Sequence, residues 1–236
     1  MKLTVVMPVY NERGTILQIL QRVRAVEIDK EIIIVDNCST DGTREIVMKL
    51  DYPEVRTILQ DRNRMKGNSV KKGIAAARGE YTIIQDADLE YDPRDYHALL
   101  AEAQRPDVLA VLGSRVLGAA QQGEMLPPSS FSVGREFLNE YFNMLFDAEL
   151  TDIATCYKLA PTQFLQGLNL VSDGFDLDFE LPARFVLEAR ARGQRVSEVP
   201  IRYRPRSARE GKKIRWTDGI ASLIAITRFR FVPPGG

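Results

Sequence analysis

Residues 31–36 read Glu-Ile-Ile-Ile-Val-Asp, in which four consecutive apolar, β-branched side chains are followed by a carboxylate. Such a run has no polar alternation and is typical of a parallel strand covered by helices on both faces. Further apolar runs of this kind lie at 3–9, 55–60, 81–85 and 108–112. Helical patterns separate them, so repeated β-α-β units predict an α/β, Rossmann-like fold with a mostly parallel central sheet and helices on both faces.

The ends of the helical patterns are marked by capping and turn residues. Thr15 is a candidate N-cap, Gly79 and Gly193 are stop signals, and Pro93 opens a helix where proline costs least. Helices are expected over 16–26, 39–50, 67–78, 133–146 and 178–192, from Pro93 and from Trp216. Asp176 and Asp178 are expected to cap the helix that ends at 192. The segment 118–132, rich in Gln, Gly, Pro and Ser, predicts a long loop, and 196–203 predicts a strand.

Composition excludes several classes of protein. The 236 residues contain 32 basic and 32 acidic side chains, so there is no global positive field for binding a nucleic-acid polymer. Two cysteines are too few for a disulfide framework, and a single histidine excludes a His-rich metal site. There is no signal-peptide pattern and no apolar stretch of about 18 residues. We expect a cytoplasmic protein, and peripheral attachment to the cytoplasmic face of the membrane stays open as an alternative.

Acidic side chains follow the predicted strand 81–85 directly, in the sequence Asp86-Ala-Asp88-Leu-Glu90. Two carboxylates two residues apart at a strand end can converge on one hard cation, and Mg²⁺ and Mn²⁺ prefer oxygen ligands. Glu90 lies on the same side by period-two spacing and is a candidate third ligand. The alternative is a solvated acidic turn that caps the following helix.

Polar residues also follow the first two strands and begin the third helix. Asp36 ends a buried strand and suggests an acceptor for the N–H groups of a base or for ribose hydroxyls, while the residues after it suit helix capping. Gly67 lies near Lys66 and Lys71 at a helix start, which favours an anion through unpaired N–H groups and the helix dipole. The alternative for this helix is an ordinary surface helix with a basic face.

Four motifs in this order resemble the family-two glycosyltransferases of the GT-A fold. They are Pro8-Val-Tyr-Asn-Glu12, residues 36–43, the glycine-containing segment 67–79, and Asp86-Ala-Asp88. Three later motifs are similar to the dolichyl- or polyprenyl-phosphate mannosyltransferase branch: Gly113-Ser-Arg115, residues 151–158 and residues 198–206. The resemblance extends over 1–218, which we expect to form the GT-A glycosyltransferase domain. Residues 219–236 would be a C-terminal amphipathic helix and tail.

The resemblance implies transfer of a hexosyl group, with inversion, from a nucleotide-sugar such as GDP-mannose or a UDP-sugar to a polyprenyl phosphate. It implies a Mg²⁺ or Mn²⁺ ion held by Asp86, Asp88 and Glu90. The residues expected to bind the nucleotide are Pro8, Tyr10, Glu12, Asp36, Gly67, Lys71 and Asp86. The candidate catalytic residues are Asp88, Arg115 and Asp152.

The chemistry of the acceptor bears on the basic residues. A sugar hydroxyl needs a carboxylate base as it attacks, whereas a phosphate monoester, whose second pKa is about 6, needs cations to position it. The chain offers such cations, and those expected at the acceptor phosphate are Arg115, Arg135, Arg204, Arg206 and Lys213. The alternatives are a solvated basic loop or contact with anionic lipids.

Two other functions stay open at this point. One is transfer to a glycan or small-molecule hydroxyl with Asp152 as base, and the other is a nucleotide-sugar-binding module without transfer activity. The final helix, which contains Arg228 and Arg230, either lies in a membrane interface or packs against the domain, and packing is favoured.

Overall fold

The computed structural model describes residues 1–125, 130–206 and 216–231. Within them, one seven-stranded sheet has the order β3-β2-β1-β4-β6-β5-β7. The strands are β1 Leu3–Val9, β2 Lys30–Asp36, β3 Val55–Leu59, β4 Tyr81–Ile84, β5 Val108–Ser114, β6 Lys158–Pro161 and β7 Arg195–Pro200. Only β6 pairs antiparallel, with β4 and with β5. The predicted α/β fold with a mostly parallel sheet is therefore confirmed.

Helices connect the strands and cover the sheet. They are α1 Ile16–Arg24, α2 Thr43–Val47, α3 Met65–Ala76, α4 Tyr96–Ala103, α5 Arg115–Gln121, α6 Ser130–Phe146, α7 Thr162–Gly167, α8 Leu177–Ala191 and α9 Trp216–Phe231, with a 3-10 turn at Pro93–Asp95 before α4. Every side chain of β5 is buried, and all but one in each of β1 and β2. Because neighbouring side chains of a strand point to opposite faces, this burial means that both faces of the sheet are covered.

The antiparallel strand β6 was not predicted from the sequence. Its four residues begin with Lys158 and end with Pro161, so they lack the apolar run that marks the other central strands. Lys158 is nevertheless fully buried, because its ammonium has polar partners inside the protein. A short strand with a charged first residue gives little local signal, and its place between β4 and β5 depends on long-range pairing.

The predicted loop over 118–132 is wrong at both ends. Helix α5 continues to Gln121, and α6 already begins at Ser130. The Ser114 hydroxyl caps α5 by accepting a hydrogen bond from the Leu117 N–H at 3.0 Å. Gly118 suggested a break, but it lies inside α5 where a Cβ would be 1.9 Å from the Ile201 carbonyl oxygen. The glycine therefore reflects close packing of the helix on the chain after β7.

Two other boundaries also differ from the prediction. The helix expected over 39–50 is a single short helix, α2, and the strand expected over 196–203 ends at Pro200. Beyond it, Tyr203 pairs only in an isolated antiparallel bridge with Tyr91. Thr15 precedes α1 as predicted, but its hydroxyl donates to Glu12 and makes no cap hydrogen bond to the helix.

Helix α9 packs against α6 and α8, as the favoured alternative predicted. Ala225, Ile226 and Phe229 are buried in this contact, whereas Ile224 is 65% exposed. The Tyr141 and Thr227 hydroxyls share a hydrogen bond of 2.7 Å across the α6–α9 contact. Within the described part of the chain, no helix combines the length and the apolar character needed to cross a bilayer. The domain boundary at 218 stays a prediction.

Candidate active site

The polar residues that follow β1, β2 and β4 meet at one edge of the sheet. These three strands are adjacent and parallel, with Val9 opposite Asp36 and Val6 opposite Ile84. Their carboxyl ends therefore bring the segments 10–12, 36–43 and 85–90 together. In open α/β sheets, ligands bind in the crevice outside the carboxyl ends of the strands.

Asp36 lies within this edge but is enclosed by protein. Its side chain is fully buried, and one carboxylate oxygen accepts a hydrogen bond of 2.8 Å from Arg44 Nε. The Ser39 N–H donates to the same carboxylate at 3.3 Å. In this structure the carboxylate positions the loop after β2 and Arg44, and the contact of Asp36 with a nucleoside stays a prediction.

The other predicted nucleotide-binding residues differ in their exposure and in their contacts. Tyr10 is 36% exposed at the end of β1, next to the half-buried Pro8. Gly67 lies in the first turn of α3, where a Cβ would be 2.7 Å from the Gly174 carbonyl oxygen, so close packing requires this glycine. Lys71 Nζ binds Asp173 at 2.8 Å and braces the loop before α8. Nucleotide binding by these four residues stays a prediction.

Asp86 and Asp88 form the acidic centre of the site. Both side chains are about one-fifth exposed, and the Asp86 N–H donates to Cys156 Sγ at 3.2 Å. Burial, together with the neighbouring carboxylates of Asp86 and Glu90, raises the pKa of Asp88 to about 7. The cause is local: several negative charges lie together in a partly desolvated place.

Glu90 does not join these two carboxylates as a third ligand. Its carboxylate accepts hydrogen bonds from the Tyr203 hydroxyl at 3.1 Å and the Arg206 N–H at 2.8 Å. Leu89 has a φ of +66°, so the chain turns between Asp88 and Glu90 and the period-two spacing fails. Among the residues that the structure describes, no three His, Cys, Asp or Glu side chains are grouped as a metal site. The predicted three-carboxylate set is therefore wrong as an arrangement.

Arg206 lies among the acidic residues Glu12, Asp88 and Glu90. Its Nη2 is 2.8 Å from Glu12 Oε2, and its Nε donates to the Asp88 carbonyl oxygen at 3.0 Å. The Asp88 carboxylate is 3.8 Å from the same Nε. Its guanidinium is the counter-charge of Glu12 and Asp88, and binding of the acceptor phosphate by Arg206 stays a prediction.

Arg115 and Asp152 form a buried, two-pronged ion pair. Arg115 Nε and Nη2 each lie 2.7 Å from one oxygen of the Asp152 carboxylate, and the Arg115 N–H donates to it at 3.0 Å. Asp152 is fully buried, and Glu198 accepts hydrogen bonds from the N–H groups of Thr151 and Asp152. Burial alone would raise the pKa of Asp152, but the Arg115 guanidinium holds it below its usual range. A paired, acidic carboxyl is poorly suited to act as a base, so the structure opposes the prediction of Asp152 as a base.

The remaining predicted acceptor cations are dispersed. Arg135 lies near enough for its charge to contribute to the lowered pKa of Asp152, and Arg204 is exposed beyond β7. The guanidinium carbon of Arg115 lies 5.1 Å from the centre of the Tyr203 ring. Lys213 lies outside the described residues.

Three charged residues meet beside Asp86, and the sequence did not predict this grouping. Lys66 Nζ is 3.1 Å from the Asp86 carboxylate and 3.2 Å from Asp178, and Lys158 Nζ is 3.6 Å from Asp178. Asp178 was expected to cap α8, but it lies in the first turn of that helix and faces the two lysines. Burial alone would raise the pKa of Asp178, yet the two ammonium groups keep it low. The signal available in sequence was a lysine immediately before Gly67.

Known proteins resemble this chain in sequence. The low-salt glycan biosynthesis hexosyltransferase Agl6 of Haloferax volcanii is 28% identical over 207 residues, which are 86% of this chain and 48% of that protein. The dolichol-phosphate mannosyltransferase of Pyrococcus furiosus is 25% identical over 227 residues, 91% of this chain and 61% of that protein. The chain thus spans about half of the first relative and about three fifths of the second.

Solved structures share the fold. The glucosyl-3-phosphoglycerate synthase of Mycobacterium tuberculosis, in complex with Mn²⁺, uridine diphosphate and phosphoglyceric acid, superposes with a TM-score of 0.71 at 15% identity. The match covers 100% of this chain and 80% of that one. The mannosyl-3-phosphoglycerate synthase of Rubrobacter xylanophilus gives a TM-score of 0.68 at 16% identity, over 97% of this chain and 72% of that one.

A sequence profile described as "Glycosyl transferase family 2" matches residues 4–160. This match covers more than half of the chain and includes the strand ends that build the acidic centre. The predicted resemblance is thereby confirmed at the level of the family. The chain belongs to glycosyltransferase family 2.

Proposed function

We propose that this chain transfers a hexosyl group from a nucleotide-sugar to a polyprenyl phosphate, with inversion at the anomeric carbon. Family membership supports the glycosyl transfer and the nucleotide-sugar donor. Similarity to a dolichol-phosphate mannosyltransferase supports the acceptor class. The choice between a phosphate and a hydroxyl acceptor depends on one observation, the ion pair of Asp152 with Arg115.

A divalent cation fits the residues on the donor side. Asp86 and Asp88 supply carboxylate oxygens at a strand end, and Mg²⁺ is commonly held by one or two carboxylates together with substrate phosphates. Burial and the charges of Asp86 and Glu90 raise the pKa of Asp88 to about 7, although the Arg206 guanidinium opposes this, so the negative charge here is only partly compensated. Asp86 and Asp88 would hold the ion, which supplies counter-charge to the leaving nucleoside diphosphate.

On the acceptor side, Arg115 is paired with the one carboxylate that the sequence offered as a base, Asp152. With a hydroxyl acceptor, a carboxylate must take up a proton, and Asp152 was the candidate for that role. Its two oxygens are engaged by Arg115 at 2.7 Å and its side chain is fully buried. A phosphate monoester is already largely dianionic at neutral pH and loses no proton when it attacks. The ion pair therefore favours the phosphate acceptor.

The protein groups have separate roles in the proposed displacement. An acceptor phosphate oxygen forms a bond to the anomeric carbon while the bond from that carbon to the diphosphate oxygen breaks, and a single displacement inverts the configuration. Arg115 orients the phosphate, because Asp152 fixes its guanidinium and leaves Nη1 outside the two-pronged contact. Tyr203 stacks near the same guanidinium. A position at the cytoplasmic face of the membrane stays a prediction.

Transfer assays with labelled UDP-glucose and GDP-mannose test this function. The protein is incubated with Mn²⁺ and one acceptor at a time: a polyprenyl phosphate, the corresponding polyprenol, or phosphoglyceric acid. We expect lipid-extractable label with the polyprenyl phosphate and one of the two donors. Label on the polyprenol or on phosphoglyceric acid would overturn the proposed acceptor, and no transfer to any of them would overturn the proposed reaction.

Asp88→Asn connects the reaction to the acidic centre. We expect this variant to lose transfer by about 100-fold or more, since it removes a carboxylate that would hold the divalent ion at the donor diphosphate. Asp107→Asn is the matched control, because Asp107 pairs with Arg195 at the amino end of β5, away from the site. Equal activity of Asp88→Asn and wild type would contradict the role of this carboxylate.

A further inference from the structure

A row of alternating charges extends from the candidate active site into the protein. Asp86 is at the site, Lys66 Nζ is 3.1 Å from its carboxylate, and Asp178 Oδ2 is 3.2 Å from the same Nζ. The other Asp178 oxygen is 3.6 Å from Lys158 Nζ. The exposed fraction of the side chains is 23% for Asp86, 17% for Lys66 and 0% for Lys158. The row therefore has an open end at Asp86 and a closed end at Lys158.

The fold anchors this row at its inner end. Lys158 begins β6 between β4 and β5, and its ammonium also donates to the Thr155 carbonyl oxygen. Asp178 lies in the first turn of α8 and is held by two lysines from different elements, β6 and α3. Asp178 is thus a fixed anchor for the Lys66 ammonium, and removing one partner of such a buried pair is costly.

The outer contact of Lys66 is of a different kind. Asp86 is the carboxylate that the proposed function gives to a cation, so Lys66 and a divalent ion would use the same oxygens. An ammonium has three N–H donors on a flexible stem and can change one partner while keeping another. In the described residues, Lys66 donates to two carboxylates, which leaves one N–H for a ligand. The exposed Phe175 ring, 5.9 Å from Nζ, lies beside this ammonium.

We propose that Lys66 is a tethered, exchangeable counter-charge for the donor: it neutralises Asp86 in the free protein and, held by Asp178, donates to the diphosphate of the bound nucleotide. This inference rests on the proposed function, because it needs a nucleoside diphosphate at the site. It assigns Lys66 to donor binding and Asp178 to positioning, and neither role follows from the acidic motif alone.

Lys66→Met separates this role from structural support. Methionine keeps a long unbranched side chain and removes the charge. Without the ammonium, a metal ion alone meets no competitor at Asp86 and binds more tightly. The nucleoside diphosphate loses a charged hydrogen bond and binds more weakly. A residue that only supports the fold would weaken both ligands.

The measurements are two titrations. Binding of Mn²⁺ alone is followed by the electron paramagnetic resonance signal of the free ion, and binding of UDP and GDP at saturating Mn²⁺ by calorimetry. For Lys66→Met we expect the Mn²⁺ dissociation constant to fall by about 10-fold and that of the preferred nucleotide to rise by about 10- to 100-fold, as for a lost bond to a charged group. Asp178→Asn should instead raise the Mn²⁺ dissociation constant. Without the Asp178 charge, the Lys66 ammonium pairs more strongly with Asp86 and competes better with the metal ion.

Lys72→Met is the matched control, since Lys72 is exposed on the same helix and should change neither constant. Unfolding by circular dichroism checks that each variant is folded, and Lys66→Gln replaces Lys66→Met if the latter does not fold. A parallel loss of both affinities, or no change in either, would overturn the inference. If the wild type binds neither UDP nor GDP with Mn²⁺, the proposed function is wrong; if it binds one and Lys66→Met binds it equally, only the role of Lys66 is wrong.

Discussion

Asp152→Asn removes the charge of a fully buried carboxylate and keeps its shape. Asp152 accepts two hydrogen bonds of 2.7 Å from the Arg115 guanidinium and one of 3.0 Å from its N–H. Asparagine retains one oxygen and turns an amide donor toward the other guanidinium nitrogen. Breaking a buried pair costs about 3–5 kcal/mol, and the retained oxygen lowers the expected loss to about 2–4 kcal/mol. For a chain of this length, that corresponds to a fall in Tm of about 5–15 °C.

The pH dependence of this effect has a definite sign. The Arg115 guanidinium holds the pKa of folded Asp152 below its usual range, although burial opposes this. A carboxyl whose folded pKa is depressed stabilises the fold fully above its unfolded pKa, about 3.9, and loses this contribution as pH falls through the folded value. The difference in Tm between wild type and variant should therefore be constant from pH 8 to pH 5 and narrow only below about pH 4.

Thermal unfolding at pH 7 and pH 5 measures the loss of stability and its pH dependence, and the transfer assay measures the effect on activity. The matched control is Asp147→Asn, because Asp147 is exposed and pairs with Arg190 at the surface, and we expect no measurable shift in Tm. A variant as stable as the wild type at pH 7, or a difference that grows on acidification, would refute the charged pair. Transfer to a phosphate acceptor should stay within about 10-fold of wild type, whereas loss of a catalytic base would cost about 10²–10⁴-fold.

Three further predictions concern the metal and the packing. Chelation with EDTA should stop sugar transfer and Mn²⁺ should restore it, and full activity in the chelator would contradict the metal-dependent proposal. Gly118→Ala places a Cβ 1.9 Å from the Ile201 carbonyl oxygen and should destabilise the fold by about 2 kcal/mol or more, whereas Gly134→Ala, with nothing within 4 Å, should stabilise α6 by about 0.4–1 kcal/mol. Ile226→Ala, in the contact of α9 with the domain, should cost about 2–5 kcal/mol in urea unfolding, and Ile224→Ala, at a 65% exposed position, much less; equal effects would argue against the packing of α9.

The sequence was sufficient for those parts of the fold that depend on local pattern. The apolar runs of β1 and β2 have no polar alternation, and the structure buries nearly every side chain in them. Because these strands are parallel neighbours, their carboxyl ends coincide, and the acidic residues after β4 lie beside them as predicted. The residue types and the predicted strand arrangement both place the site at this edge of the sheet, so the edge could be identified from the sequence alone.

What the sequence could not show depends on single dihedral angles and on distant partners. Period-two spacing put Glu90 beside Asp88, but one left-handed residue, Leu89, directs it to Tyr203 instead. Arg206 is separated from Glu12 by 194 positions, and Lys66 from Asp178 by 112. No local rule pairs charges at such separations, since their meeting is a consequence of tertiary packing.

The distribution of charge explains why these distant cations lie where they do. On the donor side, the acids in contact with one another or with a cation are Glu12, Asp86, Asp88, Glu90 and Asp178, and the cations are Lys66, Lys158 and Arg206. With every carboxylate ionised, the described residues of this cluster carry an excess of two negative charges, and burial together with the charges of Asp86 and Glu90 raises the pKa of Asp88 to about 7. A divalent ion would supply the missing two charges, whereas a monovalent ion would supply only one. Because Lys66 and Arg206 lie at the open side of the cluster and Lys158 at its buried end, the first two are the cations that an incoming metal–nucleotide pair would meet.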